Sequence, residues 1–183
     1  MHLAPLPPYP VPLCVIAWVL VAASTDLVAR RIPNWLVGSG LVVSLAVQAW
    51  LHGAAAGGAA WLFGAAAGFG ALFPFYLLRG MAAGDVKLMA MVGAWLGASA
   101  VCYIVLATFV LGGVGSLTLA ATRGRLPRLL ANVRAMAQTT FARTLLRGVP
   151  AQQVAALQTS AGSIPYGVAI AAGTLGVLYT MTH

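Results

Sequence analysis

Long apolar runs, broken by short basic or small-residue connectors, leave this chain few folds to choose from. Hydrophobic residues make up 61 % of it and charged residues 7 %, and its mean hydropathy is +0.94. A soluble domain carries roughly 25 % charged residues. So few charges cannot coat a surface that faces water. Several of the runs approach the length a helix needs to cross about 30 Å of hydrocarbon. The composition therefore predicts an all-α polytopic membrane protein. The net charge of +8 does not call for nucleic acid, because basic loops on the cytoplasmic side of a membrane account for it.

Six transmembrane helices are expected, at approximately 11–27, 35–52, 59–78, 85–97, 100–121 and 164–181. Residues 1–10 read as an extended, proline-rich lead-in rather than a signal peptide, for they lack a basic start. Pro33 precedes the second span, where its missing N–H costs nothing. Trp35 and Trp50 mark that span's ends as interfacial anchors. His52 to Gly58 reads as a turn of small residues. The third span holds Gly64 and Gly68, a spacing that permits close helix approach but is common in such sequences. The fourth run is short, since Gly97 and Ser99 interrupt it. A helix from Val86 to Leu96 rises only about 16 Å against about 30 Å of hydrocarbon. Either it starts inside the membrane or it continues into the fifth run. The last span, from Ile164, begins with Pro165 and Tyr166.

Residues 122–163 break the pattern. Arg123, Arg125, Arg128, Arg134, Arg143 and Arg147 all fall there, and Leu130, Val133, Ala137, Phe141 and Leu145 recur at helical spacing. The segment reads as a basic helix lying on an anionic leaflet, with a solvated loop as the alternative. Basic residues concentrate in the odd-numbered connectors: Arg30 and Arg31 in the first, Arg79 and Lys87 around the third, the six arginines in the fifth. That split places the odd connectors on the cytoplasmic side. No repeat or soluble domain is visible, so 1–183 is expected to form one membrane-embedded domain.

The acids are the second constraint. The chain has two in 183 residues, Asp26 and Asp85, each at the border of an apolar run and each on the side assigned to the cytoplasm. A carboxylate at membrane depth is costly and marks a functional site by default. Singly, each has a structural reading. Asp26 can pair with Arg30 one helical turn later, worth a few tenths of a kcal/mol. Asp85 can cap a helix, since Gly-Asp before an apolar run is a start signal. Together, with every other acid absent, they meet the need of aspartic proteolysis: one carboxylate to activate water and one to act as acid.

Other chemistries lack their residues. Cys14 and Cys102 are isolated in apolar runs, with no CxxC pair, so neither a zinc site nor a disulfide framework is expected. His2, His52 and His183 show no HExxH spacing, and no Ser-His pairing is suggested. No metal and no cofactor are expected.

The residues around the acids match a known pattern. Asp26 is followed by Arg31-Ile32-Pro33-Asn34, Asp85 stands in Ala83-Gly84-Asp85-Val86-Lys87-Leu88-Met89, and Gly93-Ala94-Trp95-Leu96-Gly97 comes next. With the closing Ile164-Pro165-Tyr166-Gly167-Val168-Ala169-Ile170, the chain resembles the type IV prepilin peptidase family, membrane aspartic peptidases with a GxGD motif. It is most similar to the short members associated with Tad/Flp pili. The pattern departs at Ala82, where the family has its first motif glycine. The cysteine-rich segment of the larger, methylating members is not visible, so methyl transfer is not implied.

The resemblance implies that Asp26 and Asp85 are catalytic, supported by Gly84, Lys87, Pro33, Asn34, Pro165 and Tyr166. It implies a bacterial inner-membrane enzyme that cuts the basic leader from a prepilin at the cytoplasmic face, with anionic lipid concentrating both partners there. The family's pilin substrates usually carry a Glu shortly after the cut, and Lys87 or Arg79 is a candidate partner for it. The alternatives are another GxGD-type intramembrane peptidase, or a non-enzymatic proton-coupled carrier or scaffold using the same two acids.

Overall fold

A computed structural model describes residues 6–78, 80–122, 124 and 166–182. It is all-helical there: α1 Val11–Ala29, α2 Asn34–His52, α3 Ala54–Leu77, α4 Ala83–Thr122 and α5 Tyr166–Thr180. The first four are long and apolar enough to cross a membrane, and α5 is a shorter apolar helix. Residues 1–112 with 165–183 form one compact unit and 113–164 a second. Of the second, the described part is the end of α4 and Gly124. The arginine-rich stretch 125–165 lies outside the described residues, as do Arg79, Arg123 and Pro165.

The first unit is built around the start of α4. Every residue from Leu88 to Trp95 is buried, with Leu88, Met89, Met91 and Val92 fully enclosed. A helix apolar on all sides belongs inside a bundle. This explains the short fourth run: a helix wrapped by others need not match the lipid thickness. The wrapping helices approach through small residues. On α3, a Cβ at Gly64 would strike the Gly93 carbonyl, and one at Gly68 would strike the Met89 carbonyl. On α2, one at Gly40 would strike the Met91 side chain. From α1, Trp18 meets Trp95 with ring centroids 5.9 Å apart.

Gly97 interrupts α4 with φ 83° and ψ 167°, a conformation open in practice to glycine. Arms 83–96 and 98–122 result, where the sequence predicts runs at 85–97 and 100–121. A break frees carbonyls on its N-terminal side, and these need partners where water is absent. Gln48 supplies them. Its Nε2 donates to the Trp95 carbonyl at 2.9 Å and to that of Ala94 at 3.4 Å.

One boundary differs from expectation. α3 begins at Ala54, not near residue 59, so the turn of small residues shrinks to Gly53 at φ 83°. The Gly57 N–H already donates to the Gly53 carbonyl at 2.8 Å. A Cβ at Gly57 would run into the Gln48 carbonyl of α2. The small residues there let two helices close at their joint, a role that composition alone reads as a loop.

Candidate active site

Asp26 occupies the last turn of α1, and its side chain is 7 % exposed. Its carbonyl accepts the Arg30 N–H at 3.0 Å, and Arg30 turns the chain in a left-handed conformation at φ 53°. This is a helix ending of the αL kind, uncommon for a residue with a Cβ. The Asp26 carboxylate points the other way, into the bundle. Oδ2 accepts the backbone N–H of Gly167 at 2.8 Å. Gly167 is the second residue of α5, where no N–H has a partner within its own helix. Asp26 therefore caps a helix through a residue 141 positions later in the sequence.

Asp85 is the third residue of α4 and 5 % exposed. Its Oδ2 accepts the Ala82 N–H at 3.3 Å, and its own N–H donates to the Ala82 carbonyl at 3.1 Å. An acid in the third helical position reaching back in this way is half of a capping box. The expected capping role is thus real, though Asp85 caps from inside the helix. It leaves lone pairs of the carboxylate for other work. Asp26 and Asp85 lie near enough for the charge on Asp26 to be felt at Asp85.

The connector between α1 and α2 joins the two acids' surroundings. Ile32 packs on Gly84, where an added Cβ would lie 3.3 Å from the Ile32 Cβ. Pro33, with φ −65° and ψ 137°, leads into α2 and accepts the Leu36 N–H at 3.1 Å. Asn34 opens α2, and its Oδ1 accepts a hydrogen bond from Lys87 Nζ at 3.1 Å. An open groove of about 670 Å³ runs along this face, lined mainly by Thr25, Val28, Arg31, Ile32, Pro33 and Asn34.

The structure thus brings together Asp26, Asp85, Gly84, Lys87, Pro33 and Asn34. Tyr166 opens α5 beside Gly167 and packs near Gly112 of α4. Two contributors were not singled out from sequence. Gly167 acts through its backbone N–H and its lack of a side chain, and Ile32 through shape. The nearest signal for Gly167 was its place one residue after Tyr166 in the matching final motif.

Asp26 and Asp85 are both buried, and the charge on Asp26 reaches Asp85. Such a pair can activate water with one member and protonate a scissile carbonyl with the other. Residues 13–117 match the family model described as the type IV leader peptidase family. The chain belongs to that family. It is accordingly an aspartic endopeptidase, which sets aside the carrier and scaffold readings. The matched region holds both acids and the connector, while α5 lies beyond it. Comparison with curated proteins and with solved structures finds no match.

Proposed function

We propose that Asp26 and Asp85 are the catalytic pair of a prepilin leader peptidase that removes a basic leader from Flp-like prepilins at the cytoplasmic face of the bacterial inner membrane. The observation that carries this reading is the convergence of the chain's two acids, both buried and electrostatically in reach of each other, within a family of leader peptidases. One carboxylate takes a proton from water as the hydroxyl attacks the scissile carbonyl. The other protonates the carbonyl oxygen; as the C–N bond breaks, the proton taken from water passes to the leaving amine, and a hydroxyl of the gem-diol returns its proton to the second carboxylate.

Each acid has a separate holder, Gly167 for Asp26 and Ala82 for Asp85. Two independently fixed carboxylates can keep one geometry through a catalytic cycle. The basic connectors support a six-span arrangement of 1–183 as one membrane domain, with the acids on the cytoplasmic side. In that arrangement the arms of α4 are the fourth and fifth spans and α5 the sixth. Anionic lipid would hold the basic leader at the same surface, at about 1 kcal/mol per basic residue.

The test is co-expression with a prepilin and a size-shift assay. Wild type should cleave, and Asp26→Asn and Asp85→Asn should each abolish cleavage at normal abundance in the membrane. The double variant should be no worse than either single, as for residues that act as a unit. Substantial cleavage by either single variant would rule out the aspartic pair.

A further inference from the structure

We propose that Lys87 and Asn34 form a positioning pair, a pin between α4 and α2 that sets the separation of Asp26 and Asp85. The inference deepens the paired-aspartate reading and rests on it.

Lys87 follows Asp85 by two residues on one helix. Residues so spaced do not face each other, and the burial agrees: Asp85 is enclosed, Lys87 exposed. The ammonium turns instead to the start of α2, where it donates to Asn34 Oδ1 at 3.1 Å. Fifty-three positions separate the partners, so the bond is a tertiary contact and not a local helix pair. A second contact runs beside it, with Ile32 seated on Gly84.

The consequence is a closed mechanical loop. Asp26 is tied through its carbonyl to Arg30. The connector then runs through Ile32 and Pro33 to Asn34. Ile32 and Asn34 hold Gly84, just before Asp85 in sequence, and Lys87, two residues after it. Without the Lys87–Asn34 bond, the start of α4 keeps only the Ile32 contact to this connector among the interactions described above. Asp85 can then drift relative to Asp26, and a misplacement of about 1 Å can cost on the order of a hundredfold in rate.

The experiment measures kcat and KM for prepilin cleavage by the full chain in membranes. Lys87→Met and Asn34→Ala should each lower kcat by about ten- to a hundredfold with KM changed less than about threefold. Their double variant should match the worse single, because they share one bond. Lys87→Arg and Asn34→Asp, which keep donor and acceptor, should retain most of the activity. Where a variant accumulates poorly, the per-molecule kcat from active-site titration replaces bulk activity. Additive losses, or a raised KM at unchanged kcat, would overturn the pin; the latter would place Lys87 on the substrate. Asp26→Asn and Asp85→Asn are run alongside. Cleavage by either overturns both readings, whereas inactive aspartate variants with additive Lys87 and Asn34 effects overturn the pin alone.

Discussion

The backbone N–H of Gly167 meets Oδ2 of Asp26 at 2.8 Å, so the last helix of the described chain begins on a candidate catalytic carboxylate. The contact leaves no room for a side chain. A Cβ on Gly167 would lie 2.8 Å from Oδ2 and 3.0 Å from the Asp26 Cβ.

Gly167→Ala should therefore displace the Asp26 carboxylate and lower kcat by roughly a hundredfold. The control is Gly176→Ala on the same helix, where nothing stands within 4 Å of an added Cβ. It should leave cleavage unchanged. The size-shift assay against a prepilin, normalised to membrane abundance, reads both. Equal activity of the two variants would show that the Gly167 contact does not position Asp26.

The packing of α3 on α4 gives a stability prediction with opposite signs on one helix. At Gly64 a methyl group meets the Gly93 carbonyl, a backbone atom that cannot swing aside. At Gly70 it meets nothing within 4 Å. Gly64→Ala should destabilise by roughly 1–3 kcal/mol, the cost of overpacking. Gly70→Ala should gain up to about 1 kcal/mol from helix propensity. Thermal unfolding in detergent should move the midpoint down for the first and up or not at all for the second.

What the sequence made legible was what hydropathy and charge carry. Asp26 and Asp85 stood out because they are the two acids of the sequence, each at the border of an apolar run, where a carboxylate is costly. Gly97 announced the break in α4 because it interrupted an apolar run. Contacts made by the backbone, or by the absence of a side chain, left weaker traces. The spacing of Gly64 and Gly68 suggested a close approach without naming the partner, which is the buried arm 83–96. The early start of α3 at Ala54 was hidden for a related reason: the Ala/Gly stretch after Gly53 has the composition of a turn and the packing of a helix joint. Asn34 and Lys87 appeared separately as motif residues, and only the fold joins them.

Chelation should leave cleavage intact. Proteolysis by the carboxylate pair uses no metal, and the cysteines and histidines of the sequence show no zinc-ligand spacing. Cys14 is half-buried on α1, Cys102 is exposed on α4 and His52 is exposed at the end of α2. The size-shift assay with membranes treated with a strong chelator, with and without added zinc, checks this. Activity lost on chelation and restored by zinc would count against the two-carboxylate mechanism.

Sidedness is the last prediction, and it turns on Gly97. A straight helix over 83–122 would be about 60 Å long, twice the hydrocarbon thickness. The break at Gly97 gives two arms, of about 20 Å and about 37 Å by the same rise. If each arm crosses, the Arg30–Arg31 connector and the arginines after α4 share one face, as the charge rule prefers. If α4 crosses once, those two basic regions fall on opposite faces. Single cysteines decide between these, in a background lacking Cys14 and Cys102. Cysteines replacing Arg31 and Arg125 should react only with reagents that reach the cytoplasm. Cysteines replacing Ala55 and Ser99, both exposed beside the Gly53 turn and the Gly97 break, should react from outside. Labelling at Arg125 from outside, with Arg31 still cytoplasmic, would mean that α4 crosses once and that the six-span arrangement is wrong by one.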